Sequence, residues 1–387
     1  MALDIARLRA ETPGTDRIAH FNHAGSGLMS AATVEAIHDQ LRRESEQGAM
    51  EAGGRVADRI EQVRADAAEL LGASSDEIAF TGGNSDGWGR AFAALRLKPG
   101  DRVLVGRSEW GGNLACLERA GVEIEVVPAD ETGQISLEAL ARMLDRRVRL
   151  VSLTWAPANG GLIQPAAAVG RLARAAGVPY FIDAAQAVGQ LPIDVAEIGC
   201  DVLAAAGRKY LRGPRGTGLL FVRRDFQDRL DPVFVDTGSA PIGADGARLR
   251  TDARRFESAE GSAALRLGLG VALRQALELG LDPIRAAISA KAEALRARLG
   301  QRPGIRLHDL GVLRSGLVSF VLHRGSGAAV QAALAGQGIT IGFNGRAYTP
   351  LDMDARGLGE VLRASVGYLT TEAELDRLVE ALARIDG

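Results

Sequence analysis

The chain has 387 residues, of which 47% are hydrophobic and 24% charged, enough apolar material for one large domain or two fused ones. Its 46 basic and 48 acidic residues leave a net charge of -2, and the basic residues are dispersed rather than gathered into a stripe or tail. This pattern excludes nucleic acid and an anionic membrane as partners, and two cysteines without CxxC spacing among five scattered histidines argue against a disulfide framework or a metal site.

The opening stretch MALDIARLRAETPG has no basic segment followed by an apolar run, and no apolar stretch reaches the roughly 18 residues of a membrane helix. A cytoplasmic protein is expected. From Ser30 to about Gly48 a serine start precedes Val34, Ile37 and Leu41, the spacing of one helical face, and a second helix follows through Ile60, Val63, Ala67 and Leu70. The period then changes. Short β-branched runs (EIAFT, DRVLVG, VEIEVV, VRLVSLTW, PYFID, CDVLAAA and GLLFV) alternate with helical stretches, which predicts an α/β fold with a mainly parallel sheet covered on both faces.

In such a sheet, ligands bind beyond the carboxyl ends of the strands. Five polar or glycine-rich segments fall at those ends, beginning at Thr81, Ser108, Ala156, Asp183 and Gly207. After Phe256 an Ala/Leu-rich helical region leads into a smaller α/β pattern built from GLVSFVL, ITIGF and VLRASVGY, which reads as a second domain. The last helix opens with Thr371 and Glu374 at capping-box spacing.

The sharpest chemical feature is GRKYLRGPRGTG, residues 207–218, where Lys209 stands among Arg208, Arg212 and Arg215. A nucleophilic lysine must lose its proton from an ordinary pKa of about 10.4, and burial or neighbouring positive charge lowers that value. A basic surface loop is the alternative for this segment alone. Asp183 at the preceding strand end shifts the balance, because pyridoxal phosphate (PLP) needs a lysine for its Schiff base and a carboxylate to keep the pyridine nitrogen protonated.

These segments, with FNHAGSG, FTGGNS, SEWGGN, the Asp183–Gln186 pair, RRFE and LRASVGYLTTEAELDRL, resemble in their order the class V aminotransferases. That family includes cysteine desulfurases, isopenicillin epimerase-like proteins and the carbon-sulfur lyase of ergothioneine synthesis. The resemblance implies a PLP-dependent transferase of fold type I, with an N-terminal segment (1–28) packing near the active site, a large cofactor domain (29–255) and a smaller C-terminal α/β domain (256–387). It further implies a homodimer with shared active sites acting on a small amino acid.

Carried across the matching segments, the resemblance sets Gly83, Asn84 and Ser85 at the cofactor phosphate, which suits the free N–H groups of a helix start. Arg208 stands where relatives often have a phosphate-binding histidine, and Ala206 where a serine is frequent. Trp110 is implied over the pyridine ring, Gln186 and Asn159 at the phenolic oxygen, and Arg363 on the substrate α-carboxylate, a task its planar fork fits. His23 and Arg346 are expected to line the substrate cavity, and Ser262 to reach the phosphate of a partner subunit.

Desulfuration needs a thiol on a loop of the second domain, and residues 338–362 contain no cysteine. The leading expectation is therefore β-elimination from a cysteine-derived substrate, with keto-acid transamination or epimerisation as alternatives. A dinucleotide dehydrogenase would need GxGxxG after the first strand, a spacing that TGGNSDGWG lacks. A non-catalytic ligand-binding protein on this scaffold would be expected to have lost Lys209 or Asp183.

Overall fold

A computed structural model describes residues 3–386. Fourteen strands are present: β1 (Ala19–Phe21), β2 (Ile78–Thr81), β3 (Arg102–Gly106), β4 (Glu123–Val127), β5 (Val148–Thr154), β6 (Tyr180–Asp183), β7 (Val202–Ala206), β8 (Gly218–Val222), a two-residue hairpin of β9 (Ile242–Gly243) and β10 (Gly246–Ala247), β11 (Ile305–Leu307), β12 (Leu317–Leu322), β13 (Ile339–Gly345) and β14 (Glu360–Ser365). Seven of them form the main sheet in the order β2-β8-β7-β6-β5-β3-β4. Only β8 runs against its neighbours; the β7-β6-β5-β3-β4 pairings are all parallel.

Alternation along these strands explains why both faces are covered. Val103, Val105, Val202 and Ala204 point into one core with Trp88, Phe92 and Phe226. Leu104, Leu203 and Ala205 point into the other with Leu70, Leu269 and Leu273. A strand apolar on both faces can sit only between helical layers. The seven expected runs all became strands of this sheet.

The second sheet, in the order β1-β13-β14-β12-β11, gathers the smaller pattern and adds two strands too short to show in the sequence. β1 is drawn from the N-terminal segment and pairs parallel with β13. Arg9 extends that attachment, donating to Glu374 and to the Leu369 carbonyl. Past Phe256, the next helix, Ala263–Leu279, packs on the large layer's helices Ala31–Gln47 and Ala57–Leu71. After that helix, the chain from Leu281 onward packs with the small sheet and its helix Glu372–Asp386.

The expected helix starts are present. Ser30 accepts from Thr33 N–H at 3.2 Å, and Thr371 exchanges the two capping-box bonds with Glu374. Among the described residues no helix is long and apolar enough to cross a membrane, and no cluster of His, Cys, Asp or Glu could hold a metal.

Candidate active site

The carboxyl ends of β2, β3, β5, β6 and β7 open on a cavity of about 520 Å³ whose far wall is the small sheet. Of the expected site residues, Gly83, Asn84, Ser85, Trp110, Asp183, Gln186, Arg208, Lys209 and Arg363 all line it.

At one pole β2 turns at Gly82 into the helix Asn84–Ala94, whose first N–H groups have no carbonyl one turn back to pair with. β8 begins alongside, so close that a Cβ on Gly218 would lie 2.7 Å from Gly83 Cα. Arg208, Arg215 and Thr217 complete this pole. Burial, together with nearby Arg215, pulls the Arg208 pKa down. Two cations and a helix start form a pocket for an anion.

In the middle of the cavity Lys209 and Asp183 share the wall. Burial pushes the Lys209 ammonium down to about 7, against the pull of the Asp183 charge and with further push from Arg208 and Arg363. The loop that carries it is fixed by Arg212, which takes the left-handed φ of 62° unusual for a non-glycine residue. Buried Arg212 bonds Leu28 O at 2.7 Å, Thr12 Oγ1 at 2.6 Å and the Tyr368 hydroxyl. These contacts bind the N-terminal segment to the lysine loop, and Asn22, Ala24 and Gly25 thereby reach the cavity wall.

Asp183 accepts from Ala185 N–H at 3.0 Å and Asn113 Nδ2 at 3.1 Å, which fixes its carboxylate plane. Asn113 Nδ2 also donates at 2.8 Å to Glu109, a fully buried carboxyl that accepts from Thr154 Oγ1 at 2.7 Å. Burial drives Glu109 up to about 7, aided by the Asp183 charge and opposed by its hydrogen bonds. Glu109, Asn113 and Asn22 lie within SEWGGN and FNHAGSG, but no spacing in the sequence marks them as site residues.

At the other pole Arg363 of β14 is buried, its Nη1 on Ala158 O at 3.0 Å and its Nη2 on Asn22 Oδ1 at 3.2 Å, while Nε has no partner. Burial lowers its pKa to about 10, so it stays charged at neutral pH. β13 places Gly342 directly opposite, leaving the guanidinium its room.

Three expected residues are not on the wall. His23 is buried behind it, stacked on Tyr210 with ring centroids 6.0 Å apart and with Nδ1 3.1 Å from Ser365 O. Burial holds His23 well below its ordinary pKa, so it acts as a neutral prop for the residue beside Lys209. Asn159 is occupied by the turn 344–349, donating to Thr349 Oγ1 at 3.0 Å and accepting from Asn344 Nδ2 at 2.8 Å. Arg346 faces solvent and is paired with Asp354 at 2.6 Å. Ser262 caps the helix Ala263–Leu279 and lines a second cavity of about 280 Å³ that shares Gly82, Asp86, Gly216 and Thr217 with the anion pole.

A lysine and a carboxylate at adjacent parallel-strand ends thus lie between an anion pole on one side and a lone arginine on the other. The aminotransferase class-V family model matches residues 19–378, and the chain belongs to that family. It is therefore an enzyme of that family. A probable cysteine desulfurase of Methanothermobacter thermautotrophicus is 30% identical over 86% of this chain and 85% of its own length. The cysteine desulfurase of Pectobacterium atrosepticum is 30% identical over 92% of both chains. Among solved structures, the apo cysteine desulfurase of Thermococcus onnurineus has a TM-score of 0.89 at 22% identity, over 100% of this chain and 99% of that one. The cystine carbon-sulfur lyase C-DES in complex with cysteine persulfide has a TM-score of 0.85 at 26% identity, over 96% and 99%. A C-DES mutant with glycine covalently linked to its PLP cofactor reaches 0.87 at 26%, over 97% and 98%.

Proposed function

We propose that this protein is a PLP-dependent carbon-sulfur lyase that carries its cofactor on Lys209 and eliminates sulfur from a cysteine-derived amino acid. The residues fit the cofactor: the anion pole suits its phosphate, Trp110 its ring face, Asp183 its pyridine nitrogen and the Gln186 amide, whose Nε2 faces Ala24 O at 3.1 Å with a second N–H to offer, its phenolic oxygen. When bound, PLP supplies the electron sink that stabilises negative charge at the substrate's Cα.

The chain's own residues account for the rest. Arg363 holds the α-carboxylate, offering its unpartnered Nε and so fixing how the substrate turns. Lys209, as a neutral amine, would take the Cα proton as general base. The Cβ–S bond then breaks with its electron pair leaving on sulfur, which is protonated to a thiol. Water hydrolyses the released enamine to pyruvate and ammonia.

The observation that carries elimination over desulfuration is the position of the two thiols. Cys116 lies on the helix Gly111–Ala120, beside an outer groove rather than the cavity, and Cys200 is wholly buried with its pKa driven up by burial. Neither is on the cavity wall. An S-substituted cysteine should give pyruvate and ammonia without added keto acid, and a Cys116→Ser/Cys200→Ser double variant should retain that activity. Strict dependence on 2-oxoglutarate would instead make the enzyme an aminotransferase.

This reading includes a cytoplasmic homodimer. It is favoured by the second cavity, which leaves the anion pole open beside Ser262. Sedimentation of the loaded protein as a monomer would remove that part.

A further inference from the structure

The cavity's charges have assignable tasks. Arg208 and Arg215 stand at the anion pole, Asp86 is tied to Gly82 N–H at 2.8 Å and Arg90 Nε at 2.6 Å, Lys209 and Asp183 occupy the centre, and Arg363 serves one carboxylate. Around Arg363 the remaining wall is aromatic and amide: Trp110, Tyr348, Phe343, Asn344 and Gln331. Among the described residues of this chain, no second cation or carboxylate stands on that part of the wall to receive a charged side chain. The amides of Asn344 and Gln331 are themselves engaged, on Asn159 Oδ1 at 2.8 Å and Ile341 O at 2.8 Å.

Tyr348 is the part of this wall that no sequence motif announced. Its ring meets Trp110 edge-on, centroids 5.3 Å apart and planes at 64°, and it lies near enough to Arg363 to act on its charge. The turn that presents it is pinned from several sides. Asn159 donates to Gly345 O at 3.3 Å and Thr349 Oγ1 at 3.0 Å, so it holds both ends, while Arg346 pairs with Asp354 just beyond. Ala347 O packs so tightly on the start of the helix after Trp110 that a Cβ on Gly111 would come within 2.0 Å of it. A loop held in this way presents a fixed aromatic edge instead of carrying a group in and out.

We propose that Tyr348 and Trp110 form the side-chain subsite, and that it selects a cysteine whose sulfur bears a neutral, apolar substituent over cystine or glutamate. This rests on the elimination reading for its sulfur and on the wall alone for its neutrality. Thioether sulfur packs favourably on aromatic rings. Cystine would bring a second ammonium and carboxylate, and glutamate a distal carboxylate, against a surface with no charge to meet them, at the cost of their desolvation.

The test uses the cofactor-loaded enzyme and two readouts. Calorimetric binding of norleucine, which has no leaving group, should be at least tenfold tighter than that of glutamate. Tyr348→Ala should weaken norleucine about tenfold, the size of one lost aromatic contact, and Tyr348→Phe should restore it, which also shows that the turn still folds. Pyruvate release should favour S-ethylcysteine over cystine, and Tyr348→Ala should erode that preference through KM. Equal affinity for glutamate, or a Tyr348→Ala variant with unchanged norleucine affinity, overturns the subsite whatever the pyruvate assay gives. If norleucine follows the expected order but S-ethylcysteine yields no pyruvate, the subsite stands and the elimination reading falls.

Discussion

Replacing Gly342 with alanine tests the carboxylate clamp with one methyl group. Gly342 pairs with Arg363 across β13 and β14, and a Cβ there would lie 3.0 Å from Arg363 Nη2 and 3.1 Å from Nε. These contacts are a few tenths of an ångström too short. The guanidinium must give way, and it cannot do so freely because Ala158 O and Asn22 Oδ1 hold its two terminal nitrogens. The displacement falls on Nε, the donor left for the substrate. Losing one charge-assisted hydrogen bond costs about 1.5–3 kcal/mol, so KM should rise roughly 10- to 150-fold. The backbone of Gly342 is ordinary strand, so the fold and cofactor loading should persist. Steady-state kinetics of pyruvate release, with the visible band as a loading control, provide the measurement. A KM within twofold of the parent enzyme, with loading intact, would refute the assignment of Arg363 to the substrate carboxylate.

Two further outcomes follow from the centre of the site. In Asp183→Asn the amide still accepts from Ala185 N–H but cannot hold a pyridinium proton, so cofactor should remain bound while kcat falls at least about tenfold, the loss of one charge-assisted bond; an unchanged kcat would leave Asp183 a purely structural residue. Because burial lowers the Lys209 pKa to about 7, its neutral amine becomes the major form above that pH. The rate at which cofactor-free protein takes up added PLP should accordingly climb between pH 6 and 8 and level off, and a climb that continues to pH 10 would show an ordinary lysine.

The large sheet was legible because most of its strands are short apolar runs bounded by polar turns, the pattern of strands buried on both faces. β1 and β11 were not legible, being three residues each, and β1 depends besides on β13 near the other end of the chain. The same distinction runs through the site. Lys209, Asp183 and the glycine turn at 82–83 sit at strand ends, where position follows from the local sequence. His23, Asn159 and Arg346 lie in segments that do approach the cavity, yet which way each side chain turns depends on Tyr210, Thr349 and Asp354, partners that only the folded chain brings near. Tyr348 stood out in no motif for the same reason: its meaning comes from Trp110 across the cavity.

Glu109 shows how such a partner sets the chemistry. Two carboxyl groups share the Asn113 amide, and if both were ionised they would repel one another in a place that water does not reach. Burial acts on this conflict by disfavouring the charge on Glu109. Glu109 is fully enclosed with Oε2 unpartnered, and its three hydrogen bonds to Oε1 do not offset the cost of burying its charge, so it keeps its proton up to about pH 7. Asp183 reaches the cavity surface, where a cation can meet it. Below about pH 7 Glu109 in its neutral form therefore adds no second negative charge beside the Asp183 carboxyl, the group positioned for a protonated pyridine nitrogen in the proposed function.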